Sequence, residues 1–261
     1  MDTTWGAGEY PLMAVRLLPA AAAAVGRAEV QASDRVVDVA TGTGNAALLA
    51  AGRGAEVVGV DSERSLLSVA EQRSLDSGLH VRWEAADVAA LPVPRGWATV
   101  VLSVFGVMYA ADHAVAAREL ARCAAPKARI VLASWVPGSF MPAMGQALSA
   151  FLPPPPPSTG PPSRWGDPTA VDALLDAVGL RTVSSLTESV TLTFADAGDA
   201  ADFLIRTAGH VIAERERLTA DGRWDPMVAA MQDLADDRGR HRAGHVDLDL
   251  AYLLVTASPA A

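Results

Sequence analysis

Val36-Val37-Asp38-Val39-Ala40-Thr41-Gly42-Thr43-Gly44-Asn45 passes from an apolar run into a glycine-rich turn and then into the alanine and leucine run 46–51. The valines read as a short buried strand, residues 41–44 as a tight loop, and the run after Asn45 as a helix. Strand, glycine loop and helix is the layout of a nucleotide-binding turn. Gly42 and Gly44 carry no Cβ, so the backbone can turn sharply and a ligand can lie against it. The first amides of the helix point outward toward whatever occupies the loop.

Asp38 separates two readings of this turn. Gly42-x-Gly44-x-x-Ala47 satisfies the dinucleotide fingerprint. A carboxylate four residues before Gly42 would repel a pyrophosphate, however, and it suits a cationic ligand. D-x-A-x-G-x-G closely resembles the first motif of the class I S-adenosylmethionine-dependent methyltransferases, D/E-x-G-x-G-x-G, with Ala40 in place of the first glycine. The cofactor of that family carries a sulfonium and an ammonium and no phosphate.

The chain after this turn extends the resemblance. Residues 56–60 form a second strand ending at Asp61, placed to accept hydrogen bonds from both ribose hydroxyls at an open strand tip. Ser62 is suited to cap the next helix, where Leu66, Val69, Ala70 and Arg73 follow helical spacing up to a stop at Gly78. Leu79, Val81, Trp83 and Ala85 alternate with polar residues as an edge strand, ending in Ala86-Asp87-Val88. The unbroken apolar run 99–105 is a central parallel strand, and Asp112 is a helix N-cap. The stretch F-G-V-M-Y-A-A-D-H-A-V-A-A-R-E-L-A-R, residues 105–122, looks very like the fourth strand and following helix of ubiquinone/menaquinone-type and antibiotic-pathway methyltransferases. Ala125-Pro126-Lys127-Ala128 stands where that family often has K-P-G-G.

The resemblance implies an α/β, Rossmann-like sheet of order 3-2-1-4-5-7-6, strand 7 antiparallel, with helical lid elements. It implies S-adenosylmethionine as cofactor, S-adenosylhomocysteine as product, and a cofactor site built from Asp38, Ala40, Thr41, Gly42, Gly44, Asn45, Asp61, Ser62, Leu66, Asp87, Val88, Ser103 and Phe105. In that site Asp87 meets the adenine amino group and the amide of Val88 meets the ring. The whole chain, 1–261, is then one methyltransferase domain. Residues 1–35 are its N-terminal helical cap, or else a helix packed on the sheet. A helical lid, 199–240, is inserted before the last strand. Two amphipathic helices are expected in that lid, with Met227, Ala230, Met231 and Leu234 on one face of the second. Residues 136–166, with five prolines at 153–157, read as a stiff connector.

Composition narrows the partner. The 261 residues carry a formal net charge of −9, which disfavours nucleic acid as the main substrate. No Asn/Asp-Pro-Pro-aromatic motif follows strand four, where Ser103-Val104-Phe105-Gly106 stands instead, so a small organic acceptor is favoured over a nucleobase or a glutamine. The Met and Leu content of the lid points to an apolar one. No membrane segment or signal peptide is evident, and a cytoplasmic protein is expected, as monomer or homodimer. The single Cys123 reads as a buried apolar residue. His241 and His245 lack a cysteine partner, and no metal is expected.

Methyl transfer from a sulfonium is an in-line displacement with a leaving group already activated by its charge, so a general base is optional. The candidates are His113, His210 and Tyr10. Two other functions fit the same strand–loop–helix: a nicotinamide-dependent oxidoreductase, and a cofactor-retaining protein of this fold that catalyses a non-methylating reaction.

Overall fold

The computed structural model describes residues 5–154 and 157–260. Pro155 and Pro156, inside the expected polyproline run, lie outside the described residues. The described residues divide between two compact units. One draws on Leu17–Pro137, Pro157–Glu188 and Tyr252–Ala261, the other on Met1–Arg16, Gly138–Pro156 and Ser189–Ala251.

The first unit holds the sheet. Its strands are β1 (Arg35–Val39), β2 (Glu56–Asp61), β3 (Arg82–Ala85), β4 (Ala98–Val104), β5 (Ala124–Trp135) and the greater parts of β6 (Leu180–Phe194) and β8 (His245–Pro259). The order is β3-β2-β1-β4-β5-β8-β6. The pairs β1–β2, β1–β4, β2–β3 and β4–β5 are parallel, and β5–β8 is antiparallel. This is the expected topology. The last strand counts as the eighth only because a three-residue strand, β7 (Arg240–Arg242), precedes it. Strands β1 and β4 are buried almost throughout, as parallel strands covered on both faces must be.

Short helices connect the strands: α3 (Asn45–Ala51), α4 (Arg64–Ser77), α5 (His113–Cys123) and α7 (Pro168–Asp176). Two start where the sequence says. The Asp112 carboxylate accepts from the amides of Ala114 and Val115, and Asp167 accepts from Ala170. Gly78 ends α4 in the left-handed conformation. Ser62 is not a cap: Glu63 holds that position without a side-chain bond. The N-terminal segment is two helices, α1 (Tyr10–Arg16) and α2 (Leu18–Arg27), with Pro19 in the first turn of α2, where its missing amide costs nothing. Ala20, Ala21, Ala24 and Val25 of α2 are buried, and the helix packs on α3 as part of the sheet unit.

The second unit is mainly helical: α1, α6 (Phe140–Ser149), α8 (Ala197–Thr207), α9 (Gly209–Ile212), α10 (Arg215–Ala220) and α11 (Trp224–Arg238), with β7 paired to the start of β8. Four helices replace the two expected at 199–240. Helix α6 stands in the stretch read as connector: Pro142 falls in its first turn, where proline is tolerated. Met227, Met231, Leu204 and Val211 are fully buried, and α8 packs against α11. Those apolar residues therefore build this unit's own core.

Candidate functional site

The glycine loop sits at the C-terminal end of β1, at the strand ends where open α/β sheets bind ligands. Three of its residues take positive φ: Ala40 (53°), Gly42 (57°) and Gly44 (84°). Ala40 occupies the position where the family motif has its first glycine, so this chain holds a side chain in a conformation that costs about 1–2 kcal/mol for a non-glycine residue. Gly44 is required twice. Its φ is left-handed, and a Cβ there would lie 2.6 Å from Cη2 of Trp83. The same indole covers Gly59 of β2.

Asp38 is 2% exposed. Its Oδ2 accepts from the Thr41 hydroxyl at 2.6 Å and from the Ala47 amide at 3.0 Å. Burial, with a smaller contribution from the Asp61 charge, pushes its carboxyl up to about 7, against the bonds from Thr41 and Ala47. Asp61 is 9% exposed; its Oδ2 accepts from the Gly42 amide at 2.7 Å and its Oδ1 from the Glu63 amide at 2.9 Å. Burial outweighs these two bonds and raises its carboxyl as well. Asp61 thus closes the loop onto β2 from below, in addition to standing at the strand tip. Thr41 completes this closure, its amide donating to the Val60 carbonyl.

The other expected cofactor residues fall into distinct settings. Asp87 is exposed, and its Oδ1 accepts from Ala89 at the start of a single 3₁₀ turn, Val88–Ala90. Ser62 is exposed and Leu66 is buried on the inner face of α4. Asn45 opens α3 and its Oδ1 accepts from Arg73. Ser103 is fully buried: its hydroxyl donates to the Val39 carbonyl and accepts from the Val107 amide, tying the end of β1 to the turn after β4. Phe105 also has positive φ (58°); its ring stacks on Trp135, 3.7 Å between centroids, and meets Tyr252 edge-on at 5.4 Å.

The three base candidates part company. His113 is 1% exposed, not a solvated first-turn residue, and its ring meets Trp165 edge-on. Burial, helped by Arg164, holds its imidazole below the usual range. His210 and Tyr10 both belong to the helical unit, where each meets the Trp5 ring edge-on, at 5.9 and 6.2 Å. Burial lowers the His210 imidazole too. Cys123 is fully buried and its thiol is pushed up to about 11, as an inert core residue. His245, Arg240 and Arg242 surround Asp247 on the β7–β8 hairpin, an ion-pair cluster at the surface of the helical unit.

Sequence reasoning missed Trp83 and Arg73 as parts of the loop. Arg73 lies on the apolar stripe of α4 with Leu66 and Ala70, and a cation on a buried face is the signal that could have found it. Among the described residues, no helix is long and apolar enough to cross a membrane.

A family model described as a methyltransferase domain matches residues 36–127, which run from β1 into β5. An uncharacterized protein of Mycobacterium tuberculosis is 35% identical over 187 residues, covering 70% of this chain and 68% of its own length. The demethylmenaquinone methyltransferase of Thermus thermophilus is 41% identical over 116 residues, 44% of this chain and 53% of that protein. In fold, the chain is similar to the YcgJ protein of Bacillus subtilis, with a TM-score of 0.67 at 17% identity, over 93% of this chain and 99% of the other.

Proposed function

The chain belongs to the class I S-adenosylmethionine-dependent methyltransferase family, and on that premise we propose that it transfers a methyl group to a small, apolar organic acceptor of quinone-like or natural-product type. The observation that carries the cofactor side is Asp38, a carboxylate withdrawn from water and bonded to the glycine loop. Asp61 at the β2 tip suits a ribose, a feature that dinucleotide sites share. A pyrophosphate brought to that loop would meet the Asp38 carboxylate at short range, whereas a cationic amino-acid ligand is attracted by it. The donor set therefore fits S-adenosylmethionine. Asp38, Gly42 and Gly44 would hold its amino-acid end, Asp61 the ribose, and Asp87 with the Val88 amide the adenine.

When bound, the cofactor supplies a methyl group on a positively charged sulfur that needs no further activation. The protein's work is then orientation and exclusion of water. Asp38 stays ionised beside a cation, because an opposite charge favours the charged form of a buried acid.

Two facts support the acceptor class. The net charge of −9 disfavours a polyanionic acceptor, and the Thermus relative bears the name demethylmenaquinone methyltransferase. The experiment is incubation of the purified protein with methyl-labelled cofactor and mixed phenolic and quinol acceptors, read by mass spectrometry. Label in an apolar product is expected. Cofactor that binds and is never consumed would point to a non-methylating reaction.

A further inference from the structure

The Thr43 carbonyl lies one residue before Gly44, the N-cap of α3, so it stands outside the helix's own ladder of hydrogen bonds. The Ala47 amide, one of the helix's unpaired first-turn donors, donates to the Asp38 carboxylate. Thr43 is 2% exposed, so its carbonyl cannot turn to water, and a buried carbonyl without a donor is costly. Arg73 on α4 supplies that donor. Its Nη1 donates to the Thr43 carbonyl at 2.6 Å, reaches the Thr43 hydroxyl at 3.3 Å and donates to Asn45 Oδ1 at 2.9 Å. Burial lowers the guanidinium's proton affinity, yet an arginine stays charged at any ordinary pH.

Asp38 of β1 and Asp61 of β2 bond to Thr41 and to the Gly42 amide, and Arg73 reaches the same loop from α4. The residues the guanidinium holds, Thr43 and Asn45, bracket Gly44, whose left-handed φ sets where α3 begins. The Asp38 carboxylate takes the Ala47 amide on the helix side of Gly44, and Arg73 takes the Thr43 carbonyl on the loop side, so the backbone is held on both sides of that residue.

We propose that Arg73 is a positioning residue for the cofactor: it touches no reacting atom, and it holds the loop 41–45 in the conformation that binds S-adenosylmethionine and S-adenosylhomocysteine. This rests on the cofactor assignment above. Its loss should act on cofactor affinity and leave the chemistry at saturating cofactor unchanged. Arg73 makes all its contacts through one nitrogen, so lysine at 73 keeps the charge and a single-nitrogen donor on a shorter side chain and should rescue in part.

The test is calorimetric titration of S-adenosylhomocysteine into the wild-type protein and into Arg73→Ala, Arg73→Lys and Gln72→Ala, with a melting curve of each protein without ligand. Gln72 is the neighbouring exposed residue of α4, bonded to Asp76, and serves as the control. The expected result is a dissociation constant raised about tenfold to a hundredfold in Arg73→Ala, the range of a lost hydrogen bond to a charged group. Arg73→Lys should fall in between, and Gln72→Ala should match the wild type. Should Arg73→Ala fail to fold, Arg73→Lys alone still decides, because a folded lysine variant with wild-type affinity overturns the proposal. So does a folded Arg73→Ala with unchanged affinity, or one whose weakened binding lysine does not rescue at all. If the wild type itself takes up no S-adenosylhomocysteine, the cofactor assignment has failed instead, which separates the two ideas.

Discussion

Asp61→Ala tests the double duty of the β2 tip. Read from the sequence, Asp61 is an open-cleft group whose removal should leave the ligand-free protein as stable as before. The structure changes that expectation. Both carboxylate oxygens accept from backbone amides, Gly42 at 2.7 Å and Glu63 at 2.9 Å, at a site 9% exposed. Each hydrogen bond to a charged group contributes about 1.5–3 kcal/mol, so the two together account for about 3–6 kcal/mol. Removing a carboxylate whose ionisation burial already disfavours gives part of this back, and water can reach the vacated tip. A net loss of about 1–3 kcal/mol follows. At about 2–4 °C per kcal/mol for a chain of this size, the melting temperature without ligand should fall by roughly 2–12 °C. Cofactor affinity should drop by a further tenfold to a hundredfold, roughly, as the ribose partner goes. Asp61→Asn keeps one acceptor and one size, and should lose about half of the stability effect. Differential scanning calorimetry and ligand titration on the three proteins read both quantities. An unchanged melting temperature in Asp61→Ala would show that the Gly42 and Glu63 amides do not depend on this carboxylate, and an unchanged dissociation constant would place the ribose elsewhere.

Four more outcomes are expected. Asp38 is raised in the fold to about 7, so its contribution to stability is fully present below its unfolded value near 4 and is lost as pH rises toward 7; Asp38→Asn should flatten that part of the stability profile. For the same reason, cofactor binding near pH 6.5 should release protons in the wild type and not in Asp38→Asn, read as a buffer-dependent binding enthalpy. Lys127 is exposed with a φ of 68°, at the place where the family often has a glycine, and Lys127→Gly should stabilise the protein by about 0.5–1 kcal/mol in a urea melt. Gly44→Ala should destabilise by about 2–4 kcal/mol, since the methyl group would collide with Trp83 and meet an unfavourable φ; a normal melt would mean that the indole moves aside freely.

The sheet was legible because parallel strands announce themselves as apolar runs of a fixed length. Residues 36–39 and 99–105 have no other reading, and the caps at Asp112 and Asp167 behave as their side chains dictate. Of the three departures from the family's glycine pattern, Ala40 and Lys127 have positive φ, so there the backbone kept its path and the side chains bear the strain; Ala128 does not. Helix α6 stayed hidden because proline-rich surroundings mask a ten-residue helix whose own proline sits in its first turn. Residues 199–218 show helical periodicity throughout, yet the backbone leaves the helix at Ala208, a break the periodicity does not carry. The loop's carboxylates were found by motif spacing. Their partners were not: the Ala47 amide and the Arg73 guanidinium meet the loop through folding of α3 and α4, and nothing local in residues 36–45 names them. That His113 is buried could not be read locally, because Trp165, which meets its ring, comes from a distant part of the chain.

The central claim is that Asp38 makes this glycine loop a site for S-adenosylmethionine and its product and closes it to a pyrophosphate. Competitive calorimetry of the purified protein against S-adenosylhomocysteine, NADH and NADPH tests it most directly. Saturable binding of S-adenosylhomocysteine, undiminished by either dinucleotide at millimolar concentration and lost in Asp38→Ala, is the predicted result. Binding of NADH or NADPH that displaces S-adenosylhomocysteine, or that occurs in its absence, would contradict it.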